Sequence, residues 1–509
     1  RYNTKNWMIW SNSSVMKSDS ELSNSSFSRS QNRSSYKLGK NWIGATVNLE
    51  DNSEKLKTTN TFSALSQRFI EYGAFVGRGD STKVFVELGF LQRQNDSLQN
   101  NRIDRVNHSN SYYLKSQLIK TEKSNLSVFL NYRTLKYEDS NLKDEPSLNS
   151  RILYSDRFFG QLLQTTTAYE TSSGTIAQQE FTYLQVEPGQ GVYMWNDYNG
   201  NGIQELQEFE IAPYPDLAIY VRVFLPNQVF VRTHQNKFSQ SVNINFNQWQ
   251  NEKGFKKFAS HFYNQTSFLI DRKIRRNGSN FDLNPFSKEE EALIGLNTNF
   301  RSSLFFNRGK QHHSTTYSFL FNESQNLLSV GSVSAKNLSH QLQYQHLVDK
   351  SWLFNFSGSK TLTNSTSENY PTRNFEIDSY QIEPKIGYLF SKNASWDIFY
   401  EFQQKENKIG AFEILKQTRL GTSFTFNSEK GFSMNGEFSM YNNLYDGNAL
   451  SAVGFQMLEG LQPGKNQTWR LLLQKNLTQF LDLNINYQGR NSETSKTIHT
   501  GNVQLRAFF

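Results

Sequence analysis

The stretch that decides the fold is Phe432-Ser433-Met434-Asn435-Gly436-Glu437-Phe438-Ser439-Met440. Its even-numbered residues are Phe, Met and Gly, and its odd-numbered residues are Ser, Asn and Glu. Successive side chains of a β-strand point to opposite faces of the sheet. The stretch therefore predicts a strand with one apolar face and one strongly polar face.

The same alternation recurs from about residue 217 onward, for example at residues 396–403 and 481–488. Strands of soluble sheets usually have about five or six residues. These stretches run nearer the nine to eleven that cross a bilayer at a tilt. We therefore expect a transmembrane β-barrel with lipid outside and a polar interior.

The connections between the predicted strands also alternate in length. Tight turns are expected at 348–350, 391–394, 427–430 and 477–479, and longer links at about 271–290, 364–373 and 446–465. Short turns at one end of a barrel and long loops at the other are typical of outer-membrane barrels. This pattern places the tight turns on the periplasmic side.

The chain ends in a strand-like stretch, residues 500–509, whose one apolar face holds Val503, Leu505, Ala507 and Phe509. It resembles the C-terminal strand of bacterial outer-membrane proteins. That resemblance implies that the terminal aromatic residue helps the assembly machinery to recognise the chain, and it places the protein in the bacterial outer membrane.

We expect an all-β chain with an antiparallel barrel of about 14 strands over residues 217–509, an even number that suits a closed barrel with both chain ends in the periplasm. Residues 1–187 also alternate, but the stretch 162–170 presents Gln164 and Glu170, which are costly against hydrocarbon. We therefore predict a separate β-rich domain at 1–187 and a junction at 188–216. The alternative is one large barrel of about 22 to 24 strands.

The predicted junction holds a calcium-loop pattern, D-x-[DN]-x-[DN]-G-x5-E, over residues 197–208. Ca²⁺ prefers six to eight oxygen ligands, and Gly202 allows the sharp turn that brings them together. The expected ligands are side-chain oxygens and one backbone carbonyl, from Asp197, Asn199, Asn201, Ile203 (carbonyl), Glu205 and Glu208.

The flanks of this loop differ from those of an EF-hand. Residues 191–195 are typical of a strand, and Pro213 and Pro215 block a helix after the loop. We therefore expect a structural calcium site between β elements, without the helix pair of a calcium sensor. The alternative is a polar turn that binds no metal.

Composition excludes several kinds of site. The 509 residues include 41 Phe, 24 Tyr and 8 Trp but no Cys, which excludes disulfides, a thiolate nucleophile and cysteine metal ligands. The formal charge is +8, and its one local cluster, residues 272–276, is expected in a solvated loop. The chain opens with Arg1 and shows no apolar leader, so we expect a mature chain or a fragment that lacks its N-terminal part.

Several segments resemble large, poorly characterised outer-membrane proteins of Bacteroidota. The similar segments are residues 189–195, 197–206, 208–210, 220–224, 458–466 and 499–501. Gln207 departs from the Asn usual in that family, at a loop position that holds no ligand. The resemblance implies an outer-membrane location and a longer N-terminal part, and it implies no settled activity.

No catalytic motif is present. The eight His residues show no metal-ligand spacing, and no nucleophile elbow or phosphate loop appears. We therefore expect no catalytic residues and no organic cofactor. Nucleic-acid binding would rest on net charge alone, so we expect none.

Three functions compete. The extra β-domain, the calcium loop and the resemblance favour a structural or scaffold subunit of an outer-membrane complex, for barrel assembly or surface-protein export. The alternative is a diffusion channel or substrate transporter, and the third is an enzyme embedded in the barrel. The expected partners are outer-membrane lipid and other outer-membrane or periplasmic proteins and lipoproteins.

Overall fold

The computed structural model describes residues 1–507 except 81, 140, 142, 277, 279, 288–291, 311, 329–330 and 429–430. Strands make up most of the described chain. In chain order they are β1 (Tyr2–Asn3), β2 (Trp7–Asp19), β3 (Ser23–Leu38), β4 (Asn41–Leu56), β5 (Gln67–Gly79), β6 (Phe85–Gln99), β7 (Arg102–Lys120), β8 (Asn125–Tyr137), β9 (Glu145–Phe158), β10 (Leu163–Gln185), β11 (Tyr193–Trp195), β12 (Phe209–Ile211), β13 (Tyr220–Asn245), β14 (Phe262–Arg275), β15 (Leu293–Phe306), β16 (His313–Leu328), β17 (Gly331–Val348), β18 (Trp352–Ser367), β19 (Phe375–Ser391), β20 (Ala394–Asn407), β21 (Ile414–Ser428), β22 (Phe432–Asp446), β23 (Gly464–Thr478), β24 (Leu481–Ser492) and β25 (Ile498–Ala507).

Helical structure is confined to short connections. The helices are α1 (Phe255–Ala259) and α2 (Ala452–Leu458), with 3₁₀ turns at Phe159–Gln161, Leu206–Glu208, Pro215–Leu217, Phe246–Trp249 and Pro371–Arg373. Across the described residues, no helix has the length and apolar character needed to cross a membrane.

The chain forms two compact units. Unit 1 consists of Arg1–Ile176, Val231–Ser241 and Ile270–Leu293, and unit 2 consists of Ala177–Phe230, Val242–Leu269 and Ile294–Phe509. The boundaries fall inside four strands, β10, β13, β14 and β15, in the last case directly after its first residue, Leu293. The predicted divisions after residues 187 and 216 stay predictions.

Antiparallel pairing between strands that follow one another in the chain builds both units. In unit 1 each strand from β2 to β9 pairs with the next, and β9 pairs with the first part of β10. In unit 2 the same succession runs from β15 to β25. The predicted all-β antiparallel class is confirmed, whereas the predicted 14-stranded barrel with a preceding domain stays a prediction.

In unit 2 the sheet buries its polar face and exposes its apolar face. Tyr400, Leu420 and Met440 lie in register on the apolar face, and Leu420 is 47% exposed and Met440 42% exposed. The next residue along, Ser439, is 0% exposed on the polar face, and Glu401 is buried there as well. A protein that folds in water usually buries apolar side chains instead.

Unit 1 shows the same inversion. Val76 and Leu88 are paired and more than half exposed. The neighbouring Glu87 is buried on the opposite face, where the Arg33 guanidinium donates to its Oε2 over 2.7 Å and the Tyr113 hydroxyl donates to its Oε1 over 3.2 Å. The N-terminal strands therefore also have an apolar face, although the sequence did not predict one for all of them.

The two ends of the unit 2 sheet differ in the length of their connections. The end called here the tight-turn end carries 349–351, 392–393 and 479–480, and the long-loop end carries 368–374 and 447–463. This confirms the predicted alternation for these connections. The predicted turn at 427–430 includes residues 429–430, and the terminal Phe509 follows residue 507, so both lie outside the described residues.

Two expectations differ from the structure. The strands of unit 2 are longer than nine to eleven residues over most of the sheet, with 15 in β22 and 18 in β17. The basic run belongs to the end of β14 and is not in a solvated loop, since Arg272 is 1% exposed and its Nη1 donates to Asp282 over 2.6 Å. A nearby carboxylate lets a charged strand residue be buried.

Candidate functional site

The predicted calcium loop closes a small hairpin in unit 2. β11 pairs with β12, and Trp195 lies opposite Phe209, so residues 196–208 form the connection. Gly200 and Gly202 have φ values of 73° and 72°, in the left-handed region that favours glycine. The two glycines therefore allow the chain to wrap tightly around the side chain at the start of the loop.

Asp197 is that side chain. Its Oδ1 accepts the backbone N–H groups of Gly200 over 2.7 Å and Asn201 over 3.1 Å, and its Oδ2 accepts that of Gly202 over 2.8 Å. The Asn201 Oδ1 accepts the N–H of Ile203 over 2.7 Å. These bonds hold the loop in the coiled conformation that calcium loops need to present alternate oxygens to one point.

Glu205 joins the middle of the loop. Its Oε2 accepts a hydrogen bond from the Asn199 Nδ2 over 3.0 Å, its Oε1 one from the Asn201 Nδ2 over 3.5 Å, and the Gln207 amide also donates to it. The structure thus brings four predicted ligands together through hydrogen bonds. The Ile203 side chain points to solvent, and its predicted contribution is a backbone carbonyl.

Glu208 supplies the evidence that a cation fits. The residue is 1% exposed, and its Oε2 accepts from the Trp195 indole over 2.8 Å and from the Glu205 N–H over 3.4 Å. Its Oε1 is buried and has no hydrogen-bond partner in the described part of the chain. An unsatisfied buried acceptor costs about 1–3 kcal/mol, and a cation would satisfy it.

The chemistry of the donor set suits calcium better than transition metals. Among the described residues no three His, Asp or Glu side chains gather as a metal site, so the structure does not bring the carboxylates of Asp197, Glu205 and Glu208 together. The loop instead combines carboxylates with Asn oxygens, and hard oxygen donors favour Ca²⁺. Calcium at these residues stays a prediction.

Behind the loop, two ion pairs attach the segment 186–219 to the rest of unit 2. The Arg373 Nη2 donates to the Glu210 Oε1 over 2.6 Å. Burial raises the pKa of Glu210, and Arg373 partly opposes that rise. The Tyr198 hydroxyl also donates to Glu210 over 3.2 Å, and burial beside this carboxylate raises the pKa of Tyr198.

The second ion pair is bidentate and lies on the polar face. Both terminal nitrogens of Arg490 donate to the Asp216 carboxylate over 2.6 Å, and the guanidinium also lies 4.1 Å from the Tyr214 ring centroid. The hydrogen bonds from Arg490 lower the pKa of Asp216. A planar two-point contact of this kind fixes orientation as well as distance.

A second segment, 447–463, also folds onto the polar face of unit 2. The α2 residues Val453 and Met457 pack with Ile377 and Leu415 in a buried apolar cluster. The Lys405 Nζ, itself almost fully buried, donates to the Met457 carbonyl over 3.0 Å and pairs with a carboxylate oxygen of Glu459 over 2.5 Å. Two segments therefore occupy the polar side of this sheet, at its long-loop end.

Sequence reasoning missed these attachments. Arg373, Lys405 and Arg490 stand in ordinary polar positions of loops and strands, and their carboxylate partners lie far away in the chain. The only available signal was that Asp216 and Glu210 follow the calcium loop closely.

In unit 1 a histidine is held by two hydroxyls. The Thr171 Oγ1 lies 2.7 Å from the His234 Nε2, and the Ser173 Oγ lies 3.0 Å from its Nδ1. His234 is 0% exposed, and its ring lies 5.3 Å from that of Phe281. Because both ring nitrogens are engaged in a site closed to solvent, the arrangement suits a structural contact better than a Ser–His nucleophile.

Comparison with known proteins finds neither a matching family nor a matching curated protein. Solved structures give distant matches. A mutant ferric enterobactin receptor from Pseudomonas aeruginosa has a TM-score of 0.37 at 8% identity, with 95% of this chain and 74% of that chain covered. The siderophore receptor PirA from Acinetobacter baumannii has a TM-score of 0.35 at 9% identity, with 96% and 76% covered. The iron transporter FrpB from Neisseria meningitidis (F5-1 variant, apoprotein form) has a TM-score of 0.34 at 9% identity, with 96% and 76% covered.

Proposed function

We propose that this chain is an integral β-barrel protein of the bacterial outer membrane and that its polar face lines a passage for a substrate. One observation carries the proposal: unit 2 buries Glu401 and Ser439 and exposes Leu420 and Met440 on the other side of the same strands. Apolar side chains on an exposed face of a large antiparallel sheet require lipid, and a polar opposite face suits an aqueous interior.

The passage is gated. Segments 186–219 and 447–463 both lie against the polar face and are attached by ion pairs at Arg490 and Lys405. An open diffusion pore has no need of two segments fixed on its wall. A transporter needs such segments, because they exclude unselected solutes until a substrate or partner protein moves them.

Calcium is proposed as the ion that orders the first of these segments. Two observations support this assignment: the backbone N–H groups that Asp197 accepts, and the buried Oε1 of Glu208, which has no partner in the described part of the chain. Without flanking helices, calcium would stiffen the segment and would not drive a large opening. Ile203, Asn199, Asn201 and Glu205 would complete its oxygen shell.

A scaffold subunit of an outer-membrane complex is the second candidate. The fixed segments favour it, because segments held by specific ion pairs present a defined surface at the long-loop end. Such a surface suits other outer-membrane or periplasmic proteins and lipoproteins as partners, and the Bacteroidota resemblance points the same way. Neither role needs a catalytic residue.

Conductance of the full chain in planar lipid bilayers separates the two functions. We expect small or rare openings for the parent and larger ones for Lys405→Ala/Arg490→Gln, which loosens both segments by removing one ion pair from each. Lys416→Ala/Arg506→Gln, exposed strand residues outside these attachments, is the matched control. If the loosened variant stays closed while the native protein co-purifies with stable partners, the scaffold function is the better one.

A further inference from the structure

Two adjacent rows of side chains on the polar face of unit 2 consist mostly of amides. The rows cross β22 to β25 near the tight-turn end, with one residue of each strand in each row. Side chains two residues apart share a face, so these rows lie on the same face as the buried Ser439. Ser433 and Leu472 hold one place in each row. The other places, called here the amide wall, are held by Asn435, Gln474, Asn484, Asn486, Asn502 and Gln504.

A cavity of about 300 Å³ lies against the amide wall, and all of these amides line it. None of the described residues in its lining is charged. Asn435, Asn486 and Asn502 are exposed, and their side chains form no hydrogen bond within the part of the chain that the structure describes. Elsewhere on this face amides bind each other, since the Gln417 Nε2 donates to the Asn443 Oδ1 over 2.9 Å. The amide wall is therefore available to a ligand.

A second cavity, also of about 300 Å³, follows toward the long-loop end. It begins at the next row, which contains Arg470 and Gln488 and lies about 7 Å beyond the amide wall, because each residue of a strand rises about 3.4 Å. The Gln488 Nε2 is buried and has no hydrogen-bond partner among the described residues. Tyr214 of segment 186–219 and Tyr441 of β22 add aromatic rings to the lining. A ligand that extends from the amide wall would reach these groups.

The charged side chains that line the second cavity are paired with opposite charges. The Glu437 Oε1 accepts from the Arg419 Nη2 over 2.6 Å, and the Arg470 Nη2 lies 3.9 Å from the Glu437 Oε2. Arg490 forms its bidentate pair with Asp216. Neither cavity therefore favours a charged ligand.

The chemistry of the two cavities matches that of a carbohydrate. An amide side chain both donates and accepts hydrogen bonds, and so does the hydroxyl group of a sugar. Leu472, Tyr214 and Tyr441 offer apolar surface to the C–H groups of sugar rings. An uncharged peptide fits less well, because extended peptides usually bind by adding backbone hydrogen bonds to the edge of a sheet. The amide wall lies on the face of the sheet.

We propose that the amide wall and the second cavity bind consecutive units of a neutral oligosaccharide, which is the substrate class of the passage. The inference rests on the proposed function, since it requires the polar face to line an aqueous passage. The amide wall would bind the hydroxyl groups of one unit, and Gln488 and Tyr441 would contact the next unit.

The test measures binding of the full chain in detergent to an array of neutral oligosaccharides, acidic oligosaccharides and uncharged peptides. We expect the parent to bind neutral oligosaccharides equally well between about 0.01 and 1 M salt, because no ion pair forms. Asn486→Leu/Asn502→Leu removes two facing amides and should weaken binding about tenfold or more. The matched control is Gln343→Leu/Gln345→Leu, which changes two exposed amides of β17 outside both cavities and should bind like the parent.

A second variant, Gln488→Leu, tests the second cavity. Leucine needs no hydrogen bond at this buried position, so the variant should resist urea unfolding in vesicles at least as well as the parent. It should nevertheless bind the neutral oligosaccharides more weakly. Unchanged binding in this variant would remove the second cavity from the site.

Equal binding by the parent and Asn486→Leu/Asn502→Leu overturns the proposal, and so does binding confined to acidic oligosaccharides or to peptides. Conductance distinguishes this failure from a failure of the proposed passage. Neutral oligosaccharides should block the openings of Lys405→Ala/Arg490→Gln in planar bilayers. If that variant conducts and no neutral oligosaccharide binds or blocks it, the substrate class is wrong and the passage stands. If it does not conduct although the parent binds through the amide wall, the passage is wrong and the binding site stands.

Discussion

At the scale of single residues, Glu208 decides whether the loop 197–208 holds calcium. Its Oε1 is buried and has no hydrogen-bond partner among the residues that the structure describes, and its Oε2 accepts a hydrogen bond from the Trp195 indole. Glu208→Gln keeps the size of the side chain and removes the charge. We expect this variant to lose calcium binding while the hairpin of β11 and β12 still forms.

Limited proteolysis of residues 190–215 measures the effect. A ligand that binds only the folded state stabilises it by RT ln(1 + [L]/Kd), about 2.7 kcal/mol at a hundred times Kd. Calcium should therefore slow cleavage in the parent and EGTA should restore it, with no change in Glu208→Gln. Gln190→Asn alters an exposed residue outside the loop 197–208 and should respond like the parent. Equal cleavage of the parent with and without calcium would leave a polar turn as the better interpretation.

The ion pair of Asp216 with Arg490 makes the attachment of segment 186–219 depend on pH in the acid range. Arg490 lowers the pKa of Asp216 in the folded protein below the unfolded value of about 3.9. The stabilisation from this pair is therefore complete above about pH 4 and is lost as the pH falls through the lowered folded pKa. Asp216→Asn should weaken the attachment at neutral pH and remove this acid transition. Hydrogen exchange of residues 213–219 between about pH 2 and 5 measures it, and an unchanged transition in the variant would assign the acid sensitivity to another group.

Glu210 changes the dependence of folding stability on pH in the opposite direction. Its folded pKa is raised by burial above the unfolded value of about 4.3. The folded state therefore binds a proton more readily, and stability from this group increases as the pH falls through the raised value. The Asp216 transition is accordingly expected at lower pH than any effect of Glu210, which keeps the two measurements separate.

At the scale of elements, β22 tests the assignment of the two faces. Phe438 lies on its exposed apolar face, six residues from the tight-turn end of the strand, which is near the middle of a bilayer for a tilted strand. Phe438→Arg should cost about 2–4 kcal/mol of folding free energy in lipid. Asn435→Arg, on the polar face of the same strand, should cost much less. Urea unfolding in vesicles compares them, and equal losses would contradict the assignment.

The alternation of β22 was sufficient to predict its faces, because a period of two depends only on the local backbone. The pattern over residues 197–208 is also visible in the sequence because its spacing is local, and calcium binding there stays a prediction. The ion pair of Arg490 with Asp216 was not, because a charge in a polar strand position gives no sign of a partner 274 residues away. The burial of Arg272 was missed for the related reason that its partner, Asp282, follows in a connection of irregular structure.

At the scale of the whole molecule, both units expose apolar faces, and the connections at the two ends of the unit 2 sheet differ in length. The surrounding solvent therefore helps to determine the fold. Leu88 in unit 1 and Leu420 in unit 2 are each about half exposed in long antiparallel strands. The free energy of folding therefore depends on lipid taking the place of water at these faces. The sequence indicated this solvent through the strand pattern. The sequence did not determine how many strands belong to one barrel, because neighbouring strands pair in the same way whatever the total number of strands.

The length of β22 predicts where the strand leaves the membrane, and we expect the long-loop end of the unit 2 sheet to face the cell exterior. A strand rises about 3.4 Å per residue and is tilted by roughly 40°, so twelve residues of β22 cover about 30 Å, the thickness of the hydrocarbon core. Leu444, which is 64% exposed and lies twelve residues from Phe432, should stand at the outer boundary, and Phe438 should lie midway.

The protein has no Cys, so Leu444→Cys and Phe438→Cys each introduce a unique thiol. On intact cells a water-soluble maleimide should label the first and spare the second, and denaturation should make both reactive. Labelling of Phe438→Cys as fast as Leu444→Cys would mean that water reaches the apolar face. Labelling of Leu444→Cys only after the cells are opened would place the long-loop end in the periplasm.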